Sequence, residues 1–127
     1  MENKKRVLIV DDDPLISRMY ENKMSADGYE AEVAVNGADA LLLVRKNRPD
    51  LILLDVMMPK MNGVETLKAL KGDEATKSIP VFFLTNLGDN PDDIAKAKAL
   101  GAEDYLVKSQ ISLKELSEKV KKIVGTA

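Results

Sequence analysis

The chain has 127 residues, of which 45% are hydrophobic and 31% are charged, a balance that is ordinary for one globular domain. Its 19 basic and 21 acidic residues nearly cancel, so we expect no general attraction to nucleic acid or to anionic lipid. The longest apolar runs, residues 7–10, 51–54 and 81–84, are too short to cross a bilayer. The composition therefore favours neither a membrane protein nor a nucleic-acid-binding protein.

The sequence lacks both Cys and His. There is no Cys and the N-terminal segment has no secretory pattern, so we expect a protein of the reducing cytoplasm. There is also no His, which removes the commonest general base and the commonest metal ligand. The chain therefore cannot carry a phosphohistidine of its own.

Five short apolar runs alternate with five helical patterns from one end of the chain to the other. We predict buried strands at 5–10, 51–54, 80–84 and 104–107, and a less completely covered strand at 29–35, where the sequence alternates in character. Helices are predicted at 14–27, 37–48, 63–71, 91–100 and 112–124. Helix signals support these bounds. Asp13 and Pro14 begin the first helix and Gly28 ends it, Asn90 and Pro91 begin the fourth helix, and Ser112 forms a capping box with Glu115. Such a series predicts an α/β doubly wound domain with a mostly parallel sheet.

Polar side chains stand where four of the apolar runs end. They are Asp11 and Asp12 after the first run, Asp55 after the third, Thr85 after the fourth and Lys108 after the fifth. In a doubly wound sheet the carboxyl ends of the strands share one edge, where ligands bind. We therefore expect these side chains to meet at one site.

Each of these residues also has a purely structural interpretation, since Asp12 and Asp13 could cap a helix and Thr85 could bond the backbone. Taken together, however, three carboxylates form the oxygen ligand set that Mg²⁺ or Mn²⁺ prefers. A cation, a lysine and a hydroxyl around a carboxylate suit phosphoryl transfer. We predict Asp55 as the acceptor, because Asp11 and Asp12 share one loop and are better placed to share a metal. Pro59 and Gly63, in the loop after Asp55, are expected to fix a turn and to let the backbone approach closely.

Four segments of the chain carry a resemblance to a known family. The segments LIVDDDP, DLILLDVMMPKMNG, IPVFFLT and GAEDYLVK resemble, in order, those of the receiver (CheY-like) domains of two-component response regulators. The resemblance implies one receiver domain over residues 1–127, with a flavodoxin-like (βα)5 fold and five parallel strands in the order 2-1-3-4-5. It implies Mg²⁺-dependent transfer of a phosphoryl group from a histidine kinase to Asp55.

The resemblance also implies individual roles. Asp12 and Asp55 would ligate Mg²⁺ directly, Asp11 would hold it mainly through water, and the main-chain carbonyl of Met57 would complete the ligands. Lys108 would pair with the phosphoryl group. Thr85 and Tyr105 would move inward and remodel the surface formed by the fourth helix, fifth strand and fifth helix, although Tyr105 could equally be a core aromatic residue.

The chain departs from the family pattern in three places. Ser109 replaces the usual proline after the lysine, and because a non-proline cis bond costs about 3–4 kcal/mol, the peptide bond is expected to be trans. Asn86 replaces a small residue after Thr85 and is expected to narrow access to Asp55. Met57 and Leu87 are expected to shield the acyl phosphate.

Two alternatives stay open at this stage. DDDPL weakly fits the motif of haloacid-dehalogenase-type phosphatases, with Asp11 as nucleophile and Asp13 as acid, but no acid pair follows the later strand. A receiver-like binding module without phosphorylation is the second alternative.

The expected partners are proteins. They are a sensor histidine kinase or phosphotransfer protein on one side and a downstream protein or output domain on the other, without direct contact with nucleic acid or membrane. We expect self-catalysed phosphorylation and slow dephosphorylation rather than a turnover enzyme. Whether phosphorylation drives dimerisation is left open.

Overall fold

The structure is a computed structural model that describes residues 4–56, 58, 61–86 and 91–125. Strands and helices alternate along the chain. The strands are β1 (Arg6–Val10), β2 (Glu30–Ala34), β3 (Leu51–Asp55), β4 (Val81–Thr85) and β5 (Asp104–Val107). The helices are α1 (Pro14–Ala26), α2 (Gly37–Lys46), α3 (Gly63–Lys71), α4 (Pro91–Ala99) and α5 (Leu113–Val124).

The five strands form one parallel sheet in the order β2-β1-β3-β4-β5, which confirms the predicted topology. The chain order reverses between β1 and β3, so the loops that follow these two strands leave the sheet side by side. β3 and β4 are buried along their whole length, whereas β2, at an edge, is only partly covered, as its alternating sequence predicted. The centre of the sheet therefore supplies a rigid, dry base for the residues at its carboxyl edge.

Helices cover both faces of the sheet. One face packs against α1 and α5, with Tyr20, Met24, Leu116 and Val120 in the core. The other face packs against α2, α3 and α4 through residues that include Ala40, Val44, Leu67, Leu70 and Ala97. Within the described ranges, no helix has both the length and the apolar character needed to cross a membrane.

The element bounds differ slightly from those predicted. Asp55 and Thr85 are the last residues of β3 and β4, and they pair with Leu84 and Val107, rather than following the strands. In a sequence, a polar residue at the end of an apolar run indicates a loop even when the residue is buried. The two predicted strands therefore ended one residue too early. The first helix begins at the Asp13 cap as predicted and is followed by Gly28 with a φ of 95°. The predicted cap Asn90 lies outside the described residues.

Candidate functional site

The polar residues predicted to meet do lie at one edge of the sheet. Asp11 directly follows β1, and its amide donates to the Ala34 carbonyl at 3.0 Å. Asp55 and Thr85 end β3 and β4, and the Lys108 amide donates to the Thr85 carbonyl at 2.7 Å. Backbone hydrogen bonds of the sheet therefore fix the main-chain position of each of these residues.

Lys108 joins two of the carboxylates. Its Nζ lies 2.6 Å from Oδ2 of Asp11 and 3.5 Å from Oδ2 of Asp55, and its side chain is only 8% exposed. Burial by itself would lower the pKa of Lys108, but the hydrogen bond and charge of Asp11, with the charge of Asp55, raise that pKa above its ordinary value. Lys108 is therefore held as an ammonium ion next to the predicted phosphoryl acceptor.

Three carboxylates form a compact acid cluster, defined here as Asp11, Asp12 and Asp55. One oxygen from each lies within 4.8 Å of the other two, with Asp11 and Asp55 buried and Asp12 exposed. Like charges about 4 Å apart repel by roughly 4 kcal/mol at an effective dielectric near 20, and Lys108 brings only one positive charge against three negative ones. Because the donors are all hard carboxylate oxygens, the cluster fits a divalent cation such as Mg²⁺. The predicted fourth ligand, Met57, lies outside the described residues.

The third aspartate of the opening run has a different role. Asp13 caps α1, where its Oδ1 accepts from the amides of Leu15 at 2.9 Å and Ile16 at 3.3 Å. Its own amide donates to Oδ1 of Asp11 at 2.9 Å. The DDD run is therefore divided between two carboxylates in the acid cluster and one that fixes the helix and orients Asp11.

A close backbone approach supports Asp55 from behind. A Cβ placed on Gly63 would lie 2.3 Å from the Asp55 carbonyl oxygen and 2.7 Å from Cα of Val56, and the Gly63 amide donates to the Val56 carbonyl at 2.9 Å. Only glycine fits there. The predicted close approach at Gly63 is confirmed, while Pro59, the other turn residue of this loop, lies outside the described residues.

A cavity of about 250 Å³ opens above the acid cluster. It is lined by Asp11, Asp12, Asp13, Ile16, Asp55, Asn86 and Lys108. Ile16 was not among the predicted site residues, although its place one turn after the Asp13 cap is a signal that it faces the same edge. The cavity is large enough for a phosphoryl group beside a hydrated cation.

Thr85 and Tyr105 lie behind this cavity rather than in its lining. Thr85 is fully buried and Tyr105 is partly buried, with its ring edge-to-face against Phe83 at a centroid distance of 6.5 Å. Burial raises the pKa of Tyr105, the charge of Asp93 raises it further, and a hydrogen bond with the Thr85 side chain lowers it. The two predicted switch residues are therefore coupled to each other in this structure.

Tyr20 is a neighbour of the site that the sequence did not reveal. It lies on the buried face of α1, and burial raises its pKa. The charge of Lys108 lowers the pKa of Tyr20, whereas those of Asp11 and Asp55 raise it. Its position seven residues after the Asp13 cap, on the face of α1 that carries Ile16, is the signal in the sequence.

Two of the three departures from the family pattern can be located. The described part of the chain contains no cis peptide bond, so the Lys108–Ser109 bond is trans, as predicted. Asn86 is exposed and lines the cavity with Asp55. The third departure is the expected shielding of the acyl phosphate by Met57 and Leu87, which lie outside the described residues.

Comparisons with known proteins agree with this geometry. A family model described as "Response regulator receiver domain" matches residues 7–121. The probable transcriptional regulator ycf27 of Pyropia yezoensis is 40% identical over 128 residues, which cover 100% of this chain and 51% of that protein. The DNA-binding dual master transcriptional regulator RpaA of Synechocystis sp. is 43% identical over 103 residues, which cover 81% of this chain and 42% of that protein. The chain thus spans about half the length of the curated relatives it matches.

Solved structures give the same result. The chemotaxis protein CheY4 of Vibrio cholerae superposes with a TM-score of 0.88 at 34% identity, covering 95% of this chain and 99% of that one. A putative response regulator from Chloroflexus aurantiacus J-10-fl superposes with a TM-score of 0.88 at 33% identity, covering 96% of this chain and 98% of that one. With its CheY-like flavodoxin fold, this chain belongs to the response regulator receiver domains of two-component signalling systems.

Proposed function

We propose that Asp55 accepts a phosphoryl group from the phosphohistidine of a sensor histidine kinase or phosphotransfer protein. An Oδ of Asp55 bonds to phosphorus while the N–P bond breaks, and the imidazole leaves with the electron pair. The observation that carries the proposal is the buried Lys108 ammonium, 3.5 Å from Oδ2 of Asp55, within a cavity that opens to solvent. Its positive charge favours the charged oxygens of a phosphoryl group at that position.

The acid cluster provides the metal ligands in this proposal. Asp12 and Asp55 would hold Mg²⁺, or Mn²⁺, directly, Asp11 would hold it through water, and the Met57 carbonyl would complete the set. When bound, the cation neutralises negative charge on the oxygens of the transferring phosphoryl group. Oδ2 of Asp11 is already paired with Lys108 at 2.6 Å, which supports an indirect role for Asp11 at the metal.

The structure favours Asp55 over Asp11 as the nucleophile. Both carboxylate oxygens of Asp11 have close partners, namely the Asp13 amide at 2.9 Å and Lys108 Nζ at 2.6 Å. Asp13, the acid in the phosphatase alternative, caps α1 with its side chain. These contacts give Asp11 and Asp13 structural roles, so they do not support a phosphatase of the haloacid-dehalogenase type.

Phosphorylation then acts as a switch. A phosphoryl group on Asp55 gains a charge-assisted hydrogen bond when the Thr85 hydroxyl turns toward it, and this biases an equilibrium between two states. Thr85 is coupled to Tyr105, so its movement also changes the surface formed by α4, β5 and α5. The domain catalyses its own phosphorylation and slow dephosphorylation and is not a turnover enzyme.

Residues 1–127 form one receiver domain in this proposal. It works in the cytoplasm through protein contacts, with a kinase or phosphotransfer protein as donor and a downstream protein or output domain as target. The near balance of 19 basic and 21 acidic residues supports protein partners over direct nucleic-acid or membrane binding by this domain.

Intact-mass spectrometry tests the proposal. The chain is incubated with phosphoramidate, whose N–P bond resembles that of phosphohistidine, with Mg²⁺ or with EDTA. We expect one added phosphoryl group that depends on Mg²⁺ and is absent from Asp55→Asn. Asp13→Asn is the matched control, because Asn caps a helix as well as Asp and the variant should still be phosphorylated. No adduct on the wild type would instead support the receiver-like binding module.

A further inference from the structure

Asn86 lines the cavity above Asp55 and has a side chain that can donate hydrogen bonds. It directly follows β4 and is an exposed residue. We infer that the side-chain amide of Asn86 donates a hydrogen bond to the phosphoryl group on Asp55, an inference that rests on the proposed function. Asn86 would then be a phosphoryl-binding residue particular to this chain, since it stands where the family usually has a small side chain.

The composition of the cavity lining supports this inference. Of the seven described residues in the lining, four are aspartates, which only accept hydrogen bonds when ionised, and Ile16 has no polar side-chain group. Among these described residues, Lys108 and Asn86 are the two whose side chains can donate to an anion. A phosphoryl group on Asp55 presents three terminal oxygens, which is more than Lys108 can satisfy while it also pairs with Asp11 at 2.6 Å.

Asn86 is also better placed in this structure than Thr85. Thr85 is fully buried and is not part of the cavity lining, so its hydroxyl must move before it can contact a ligand there. Asn86 lines the cavity without any such movement. The amide is neutral, so it adds a donor next to the acid cluster without the positive charge that would compete with a divalent cation.

Binding of beryllofluoride, an analogue of the phosphoryl group, tests the inference. Isothermal titration calorimetry with saturating Mg²⁺ compares the wild type with two variants. Asn86→Ala removes the donor, and Asn86→Asp replaces the amide with a carboxylate of the same shape that repels the negatively charged beryllofluoride. We expect the dissociation constant for beryllofluoride to rise about tenfold in Asn86→Ala, the effect of one hydrogen bond to a charged group, and to rise further in Asn86→Asp. Ser109→Ala is the control, because Ser109 is exposed and lies outside the cavity lining.

The possible outcomes are distinguishable. Equal or tighter binding by Asn86→Ala would overturn the inference and make Asn86 at most a steric barrier. Mg²⁺ affinity without beryllofluoride should be unchanged in Asn86→Ala, and a parallel loss would assign the effect to a distorted acid cluster, which also overturns the inference. If the wild type binds no beryllofluoride, the proposed function itself fails, and this inference fails with it.

Discussion

Nζ of Lys108 lies 2.6 Å from Oδ2 of Asp11, and this buried ion pair joins residues that are 97 positions apart in the chain. It connects the loop after β1 to the loop after β5 across the ends of β3 and β4, whose last residues are Asp55 and Thr85. The pair therefore contributes both to the stability of the edge and to the charge that a phosphoryl group on Asp55 would meet.

Replacing Lys108 should destabilise the domain when no divalent cation is present. In Lys108→Met, Asp11 and Asp55 lose their cationic partner, and removing one member of a buried pair lowers the free energy of unfolding by about 3 kcal/mol. Mg²⁺ should recover part of this loss, so the stabilisation by Mg²⁺ should be larger in Lys108→Met than in the wild type. Urea unfolding with and without Mg²⁺ measures both effects.

Lys119→Met is the matched control for that experiment. Lys119 pairs with Asp104 at 3.1 Å, but the two side chains are 43% and 30% exposed. An exposed pair of this kind contributes about 0–1 kcal/mol. If both variants lose the same small amount of stability, the Lys108–Asp11 pair is not the buried linkage described above.

The raised pKa of Lys108 predicts a loss of stability at alkaline pH. Because the folded pKa lies above the ordinary value of 10.5, the contribution of Lys108 is fully present below pH 10.5 and is lost as the pH rises through the folded pKa. Tyr20, Tyr29 and Tyr105 also have raised pKa values and act in the same direction. Urea unfolding of the wild type and Lys108→Met up to about pH 11 isolates the lysine. If the free energy of unfolding falls equally with pH in the two proteins, the prediction is contradicted.

Gly63→Ala should directly disturb Asp55, the proposed acceptor. The new Cβ would meet the Asp55 carbonyl oxygen at 2.3 Å, so the backbone must shift. Overpacking of this kind costs about 1–3 kcal/mol. We expect lower stability together with slower phosphorylation of Asp55, measured by thermal unfolding and intact mass.

Gly72→Ala provides the comparison for Gly63→Ala. Its Cβ would lie 3.2 Å from the Lys68 carbonyl oxygen, and Gly72 has a φ of −84°, which alanine adopts readily. Phosphorylation should be unchanged. A Gly63→Ala protein that behaves like Gly72→Ala would show that the close approach behind Asp55 has no functional role.

Thr85→Ala should separate phosphorylation from its effect on the surface. Asp55, Lys108 and the acid cluster stay intact, so beryllofluoride should still bind in the presence of Mg²⁺. The coupling between Thr85 and Tyr105 is lost, so NMR chemical-shift changes in α4, β5 and α5 on adding beryllofluoride should be smaller than in the wild type. If the chemical-shift changes are as large as in the wild type, the conformational change does not depend on the coupling between Thr85 and Tyr105.

The fold could be predicted because each boundary has a local cause in the sequence. The Asp13 cap, the capping box at Ser112 and the apolar runs fixed where elements begin and which of them are buried. The strand ends at Asp55 and Thr85 were wrong by one residue, because a polar residue in a buried strand carries no sequence signal of its burial.

The site could be predicted to the level of which residues meet, since parallel strands bring their carboxyl ends to one edge. Which of the site side chains pair with each other could not be predicted, because pairing depends on side-chain distances. No sequence pattern indicates that Lys108 lies nearer to Asp11 than to Asp55, or that the Asp13 amide orients Asp11. Tyr20 was missed because a tyrosine on the buried face of a helix reads as ordinary core.

The most direct measurement is to trap the acyl phosphate chemically and identify its position. The chain is phosphorylated with phosphoramidate and Mg²⁺, reduced with sodium borohydride, which converts an aspartyl phosphate to homoserine, and digested for peptide mass mapping. We predict homoserine at position 55 alone, and none when EDTA is present. Homoserine at position 11 or 13, or at no position in a protein that had gained a phosphoryl group, would contradict the assignment of Asp55 as the acceptor.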